Sequence, residues 1–201
     1  MVEIPDDMKE KLVAMLADED IRAMLRGIFG VEEREREEQY SRRNCLNFTG
    51  VPEEKEENAV QLALDLAKMA NVKLDRSDID RAHRIGTLRT AAPGQPRPPP
   101  RPLVVKYVSY LKREAVWFGR RDIKKAKPPR GSTLPEGSAK DVYIQENLTR
   151  ADQEIMFQAR QLRRAGKLWA AWSDGCILKV KRTQQAPTVR LRSMGDLRQF
   201  E

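Results

Sequence analysis

The chain has 201 residues, a hydrophobic fraction of 40% and a formal net charge of +8. This length allows one or two small domains. Its apolar runs all fall short of the ~18 residues that a membrane-spanning helix needs, so we predict no membrane segment. The acidic start, MVEIPDDMKE, lacks the apolar core of a secretory signal. We expect Cys45 and Cys176 to be two buried thiols rather than one disulfide.

Charge is unevenly distributed along the chain. Residues 1–60 hold 9 lysines and arginines against 16 acidic residues, whereas residues 61–201 hold 29 against 14. Such asymmetry predicts a polyanionic partner, most often a nucleic acid. The alternative is a basic protein that has no specific partner.

The first 42 residues are predicted to form N-terminal helices. Residues 6–29 have helical apolar spacing, and Gly27 and Gly30 predict the end of this segment. Residues 31–43 are charged nearly all round, which is typical of a solvated connecting helix or of a coiled-coil remnant. The apolar positions of the first segment are Leu12, Leu16, Ile21, Leu25 and Ile28.

Strand and helix patterns alternate over residues 43–147. The acidic run at 53–57 is expected to cap the first helix, and the proline-rich stretch at 87–102 is expected to be an extended linker. The order strand, helix, strand, strand, helix, strand predicts an α+β, ferredoxin-like fold of the RNA-recognition type (βαββαβ). The strand patterns lie at 45–51, 78–87, 103–110 and 141–147, and the helical patterns at 56–72 and 111–126.

Residues 148–201 predict a small α+β C-terminal domain that binds nucleic acid. A helix begins after a Thr149 cap and stops before Gly166. A hairpin with a Ser-Asp-Gly turn follows at 168–181, then a strand at 187–193 and a short helix at 195–200. Because about 50 residues give a small core, we expect this unit to pack on the preceding one.

The sequence shows no catalytic constellation. His83 is the single histidine and has no nucleophile near it in the sequence. Metal-ligand spacings and phosphate-binding glycine loops are absent from the sequence. We therefore predict that the protein is not an enzyme and has no cofactor and no metal site.

Basic side chains are the candidate binding groups. Residues 101–201 alone hold 22 lysines and arginines against 10 acidic residues. Helical spacing puts several on one side of the C-terminal helix, and period two puts others on one side of a strand. The predicted nucleic-acid-binding residues are Arg42, Arg43, Arg81, Arg84, Lys106, Arg120, Arg121, Arg160, Arg163, Arg164, Lys167, Arg190 and Arg192.

The usual stacking platform of an RNA-recognition domain is missing from this pattern. Such domains stack bases on aromatic residues of the first and third strands. Here the outward positions are Asn47, Val104 and Lys106, while the aromatic Tyr107 is predicted to point inward. The sequence therefore predicts binding dominated by the phosphate backbone. Trp169 and Trp172 are open to two interpretations, base stacking or packing, and we favour packing.

Several segments, in this order, resemble the RNA-binding protein encoded by the first open reading frame of LINE-type retrotransposons and related cellular genes. They are RRNCLNFTGVPEEKEEN, DIDRAHRIG, RPLVVKYVSYLKREAV, VYIQENLTRADQEI and DLRQF. The resemblance covers about residues 40–201. It implies a single-stranded RNA-binding component of cytoplasmic ribonucleoprotein particles, with the nucleus as an alternative location, that acts as a nucleic-acid chaperone.

The resemblance also implies a homotrimer built on an upstream coiled coil, and an RNA cleft lined by both domains. Carried over by motif position, that cleft would include Arg42, Arg43, the 81–84 segment, Arg160, Arg163 and Arg164. One departure is that residues 31–43 alone could belong to the long heptad array of the family. Our alternative function is a protein-interaction adaptor with a recognition-type fold that does not bind RNA. The sequence does not decide between RNA and DNA.

Overall fold

The computed structural model describes residues 5, 8, 9, 11, 15, 18–88, 96 and 98–200, with gaps among the α1 side chains. The chain divides into two units, Met1–Tyr40 and Ser41–Glu201. Within the described residues, no helix combines the length and the apolar character required to cross a membrane.

The first helix, α1, spans Glu19–Arg42. The predicted helix end at Gly27 and Gly30 was wrong, because both glycines lie inside α1. A glycine costs a helix about 1 kcal/mol but is sterically compatible with it, so the flanking helix-forming residues prevail. None of the described α1 side chains is buried. The apolar side chains predicted at positions 12, 16, 25 and 28 lie outside the described residues.

Four antiparallel strands form the first sheet, in the order β2-β3-β1-β4. Helix α2 joins β1 to β2, and helix α3 joins β3 to β4. Alternate residues of the central strands, such as Phe48 and Val105, are fully buried against α2 residues such as Leu66. The elements are β1 (Cys45–Thr49), α2 (Ala59–Met69), β2 (Ile79–Arg84), β3 (Leu103–Tyr107), α3 (Tyr110–Phe118) and β4 (Tyr143–Glu146).

The acidic run before α2 does not cap that helix. The cap is Asn58, whose side chain accepts a hydrogen bond from the Gln61 backbone amide at 3.0 Å. Glu57 and Glu53 instead form ion pairs with Arg84 and with an arginine that precedes β3. A guanidinium that binds both carboxylate oxygens is a stronger partner than the first turn of a helix, which explains the wrong prediction.

The long connection from β2 to β3 is closed at its base. The Ile85 amide donates to the Pro102 carbonyl at 3.0 Å. The Arg101 guanidinium donates to the Gly86 carbonyl at 3.0 Å. The predicted proline-rich linker starts and ends at this closed base, although residues 89–95 and 97 lie outside the described residues.

A separate three-stranded antiparallel sheet follows, in the order β5-β6-β7. Thr149 caps the preceding helix α4, as predicted, by accepting from the Asp152 amide at 3.2 Å. The strands enclose a second core that includes Ala159 of α4 and Val180 of β6. The elements are α4 (Arg150–Arg164), β5 (Ala170–Asp174), β6 (Ile177–Lys181), β7 (Val189–Leu191) and a 3₁₀ helix (Met194–Phe200).

The β5–β6 hairpin turns at Gly175 and Cys176, later than the predicted Ser-Asp-Gly. Both residues have left-handed backbone angles, with φ of 59° and 63°. Two consecutive left-handed residues make the tight turn that matches the twist of a hairpin. The serine and aspartate of the predicted turn therefore belong to β5.

A buried carboxylate, that of Glu146 on β4, contacts both a helix of the first sheet and the hairpin of the second. Arg113 of α3 donates to Glu146 Oε1 at 2.5 Å, and both side chains are at most 1% exposed. The same oxygen accepts a hydrogen bond from the Cys176 backbone amide at 3.0 Å. One carboxylate therefore ties a helix of the first sheet to the hairpin of the second.

Candidate nucleic-acid interface

The outer face of the first sheet carries two predicted site residues side by side. Arg81 on β2 is paired in register with Lys106 on β3, and both are exposed. Lys106 Nζ lies 2.8 Å from Asp80 Oδ2, and this hydrogen bond holds the pKa of the Asp80 carboxyl below its usual range. Part of the positive charge at this place is therefore balanced by the protein itself.

The first sheet offers little aromatic surface on its central strands. Tyr107 is 1% exposed and lies in the core, as predicted. Val104, predicted to face outward, lies opposite Asn47 but is only 6% exposed. At the edge, Tyr143 is half exposed, but Lys124 Nζ lies 3.6 Å from the centre of its ring.

Arg84 is the clearest correction among the predicted site residues. Its side chain is 4% exposed, and its guanidinium binds both carboxylate oxygens of Glu57 at 2.6 and 2.9 Å. It also donates to three backbone carbonyls, those of Val51, Pro52 and Arg101. Because all these donors are already used within the fold, Arg84 holds the loop before α2 and cannot contact a phosphate.

The arginines around the junctions are partly committed to internal contacts. Arg42, at the end of α1, donates to Asn147 Oδ1 at 3.1 Å and is half-buried, as is Arg43. Arg120 lies 4.0 Å above the ring of Trp117 and donates to its carbonyl at 2.7 Å, and burial lowers the pKa of its guanidinium. Arg121 is exposed.

The basic side of α4 is exposed along its C-terminal half. Arg160, Arg163 and Arg164 are exposed, whereas Ile155 and Ala159 on the opposite side are buried in the second core. Lys167 lies beyond the end of the helix, where it lines a groove of about 250 Å³ together with Met194 and other residues. Arg163 lines a different groove, so the basic residues that we predicted on one side of this helix border two separate grooves.

The outer face of the second sheet carries a row of residues that sequence reasoning missed in part. Trp172 on β5 is paired with Lys179 on β6, which is paired with Arg190 on β7. Directly paired residues share one face of a sheet. The neighbours Leu178 and Val180 are buried, so the row faces away from the core. The period-two alternation of ILKVK was the signal that could have identified the two lysines of β6.

The same sheet borders an open groove of about 710 Å³. Trp169 in this groove is 53% exposed and belongs to neither hydrophobic core, so packing in the core, one form of the packing that we favoured, was wrong for it. Its backbone amide is held by the Lys181 and Arg182 carbonyls, which fixes the backbone but leaves the ring outside the core. The lining residues are Arg163, Trp169, Ala170, Ala171, Trp172, Lys181 and Thr188.

The predicted residues therefore fall into separate groups. The first sheet holds Arg81 and Lys106, and the region from α4 to the residue after β7 holds Arg160, Arg163, Arg164, Arg190 and Arg192. Arg192 is exposed just after β7, where its amide donates to Asp196 Oδ2 at 2.6 Å. No group of three or more His, Cys, Asp or Glu residues that could hold a metal ion occurs in the described ranges.

A scan against protein-family models finds no match for the chain, and a search of curated proteins also finds none.

Proposed function

We propose that this chain is a sequence-tolerant single-stranded RNA- or DNA-binding protein of the LINE type. In this proposal it is a non-enzymatic ribonucleoprotein component and a nucleic-acid chaperone. The observation that carries the proposal is the row of Trp172, Lys179 and Arg190 across the outer face of the second sheet. Basic side chains along a sheet face that is turned away from the core are what the phosphates of a single strand bind.

The binding mechanism follows from the kind of contact. Lysine and arginine contacts to phosphates carry no sequence information, so they give sequence-tolerant affinity. Each contact releases counterions and weakens with salt. The exposed arginines of α4 extend the positive surface next to the second sheet; they are Arg160, Arg163 and Arg164. Many weak contacts of this kind would let strands dissociate and re-pair, which is the activity of a chaperone.

The architecture also supports the proposal. We propose that residues 43–147 form a ferredoxin-like domain of the RNA-recognition type and that residues 148–201 form the C-terminal binding domain. The strand order β2-β3-β1-β4, with a helix before β2 and another before β4, supports the first assignment. Because β1 and β3 carry no exposed aromatic side chain, the second sheet is favoured as the main contact surface.

Two further parts of the proposal concern assembly and location. A homotrimer would form through a coiled coil upstream of the first sheet, which is compatible with the exposed described side chains of α1. The protein would reside in cytoplasmic ribonucleoprotein particles or in the nucleus. Light scattering with and without an oligonucleotide measures the mass of the assembly directly, and a monomeric mass at micromolar concentration would remove the trimer from the proposal.

A salt series with charge variants tests the binding. Filter binding of a labelled single strand should give a log K that falls by ~0.7 per phosphate contact for each tenfold rise in salt. Arg190→Gln should reduce the slope by about one contact, that is by ~0.7. Arg130→Gln removes another exposed charge, from the connection between α3 and β4, and serves as the matched control. An affinity that does not change with salt would refute the proposal.

The alternative, a protein-interaction adaptor, is favoured by one observation. Leu111 and Phe118 lie seven residues apart on α3 and are 73% and 66% exposed. Exposed apolar pairs on one side of a helix are typical of protein contacts. Complexes that survive both nuclease and high salt, and that Leu111→Glu abolishes, would favour the adaptor.

A further inference from the structure

The groove beside β5 combines two tryptophans with two cations. We call it the tryptophan groove, and its lining includes Trp169, Trp172, Arg163 and Lys181. Its volume of about 710 Å³ lies within the usual range of about 300–1,000 Å³ for small-molecule sites. Among the described residues that line it, none carries a carboxylate.

We propose that the tryptophan groove binds one unpaired nucleobase of a single strand. The base stacks on Trp169, and Arg163 and Lys181 contact the phosphates on either side of it. This inference rests on the proposed function and adds to it a contact with the base, whereas the proposed function depends on contacts with phosphates.

The position of Trp169 makes it a suitable stacking surface. Its backbone amide donates to the Lys181 and Arg182 carbonyls at 2.9 and 3.1 Å, and the preceding Leu168 is 3% exposed in the second core. Trp169 as a whole residue is 53% exposed. A ring held on a fixed backbone loses little conformational freedom when a ligand binds, so more of the stacking energy appears as affinity.

The charges around the groove favour a nucleic acid as its occupant. Lys179 and Arg190 continue the row of basic side chains from the groove across the sheet, in register with Trp172. Lys179 Nζ lies 2.7 Å from Asp174 Oδ2, so part of its charge is balanced, and Arg190 is the exposed cation of the row. A planar ligand that carries a negative charge at regular intervals fits an aromatic surface flanked by such a row. Because the stacking faces of a base are covered in a duplex, the groove should discriminate against paired strands.

Abasic oligonucleotides test the inference on the unmodified protein. An oligothymidylate and an abasic strand of the same length carry the same phosphates, and only the first can stack. We expect the oligothymidylate to bind about 5- to 150-fold more tightly at every salt concentration, with equal salt slopes for the two strands. Equal affinity for the two strands would overturn the inference while leaving the proposed function intact. Failure of both strands to bind would refute the proposed function itself.

Substitution of Trp169 locates the effect. Trp169→Ala should remove most of the preference for the oligothymidylate without changing its salt slope, and Trp169→Phe should restore part of it. In the unmodified protein the oligothymidylate should quench tryptophan fluorescence, and Trp169→Ala should abolish most of that quenching. A full preference retained in Trp169→Ala would overturn the inference. Tighter binding of an acidic, tyrosine-containing peptide than of the oligothymidylate would also overturn it.

Discussion

Replacing Arg113 with methionine is expected to be one of the most destabilising single changes in the chain. The substitution keeps an unbranched apolar stem but removes the guanidinium, so Glu146, whose side chain is 0% exposed, is left without its cation. Removing one member of a buried ion pair costs about 3–5 kcal/mol, because the remaining charge stays in a low-dielectric environment. Proteins of this size change their melting temperature by about 2–4 °C per kcal/mol, so a decrease of about 6–20 °C is expected.

Lys112→Met is the matched control for this experiment. Lys112 precedes Arg113 on the same helix, and its Nζ lies 3.3 Å from Asp78 Oδ2 in a partly exposed pair. Such a pair contributes at most about 1 kcal/mol, so the same substitution there should have little effect. Urea unfolding followed by tryptophan fluorescence and by circular dichroism measures both variants.

The double variant Arg113→Met, Glu146→Gln separates the charge from the hydrogen bond. The amide oxygen of a glutamine can still accept from the Cys176 amide, as Glu146 Oε1 does at 3.0 Å. The double variant should therefore be more stable than Arg113→Met alone. A stability of Arg113→Met within about 1 kcal/mol of the Lys112→Met control would refute this reasoning.

Three further predictions concern packing, thiol reactivity and acid stability. Gly119→Ala should cost about 1–3 kcal/mol in urea unfolding, because its Cβ would lie 2.2 Å from the Ala70 carbonyl oxygen. Gly195→Ala, whose Cβ would meet its nearest neighbour at 3.4 Å, should change stability little, and equal effects of the two would contradict the explanation. Burial raises the pKa of the Cys176 thiol to about 12. In the native protein this thiol should therefore resist Ellman's reagent at pH 8 until urea unfolds the chain. Rapid labelling of Cys176 without urea would show that the thiol is accessible. Hydrogen bonds from Arg101 hold the pKa of the Glu53 carboxyl below the unfolded value of about 4.3. The ion pair of Glu53 therefore contributes to the free energy of unfolding above that value, and this contribution is lost as pH falls through the folded pKa. The free energies of unfolding of wild type and Glu53→Gln should converge between pH 7 and pH 3. A difference that stays constant over this range would contradict the pairing.

The sequence predicted the order of strands and helices because each element carries a clear period. Leu46 and Phe48 alternate with polar neighbours and are both buried. The apolar side of α4 and its Thr149 cap are also as predicted. These features are determined by residues that are close together in the chain, so the local sequence pattern is sufficient to predict them. The α+β composition with a four-stranded antiparallel sheet follows from the same patterns.

The errors arose where a distant partner decides the role of a side chain. Arg84 looks like a basic surface residue in RAHRIG, but Glu57, far from it in the chain, buries it. Arg113 resembles any other helical arginine, and its burial goes with its ion pair to Glu146 of β4, which is far from it in the chain. Trp169 looks like a core residue because its neighbour Leu168 is one, although the ring faces the groove. Long-range pairing of this kind leaves no periodic trace in a single sequence.

The closed base of the β2–β3 connection has a consequence for how the chain tolerates change. The Ile85 amide and the Arg101 guanidinium fasten the two ends together at 3.0 Å each, independently of what lies between them. Lengthening a fastened loop costs little, since each doubling adds only about 0.6 kcal/mol of closure entropy. The proline-rich segment is therefore a natural place to insert a tag or a reporter domain without unfolding the sheet that carries it.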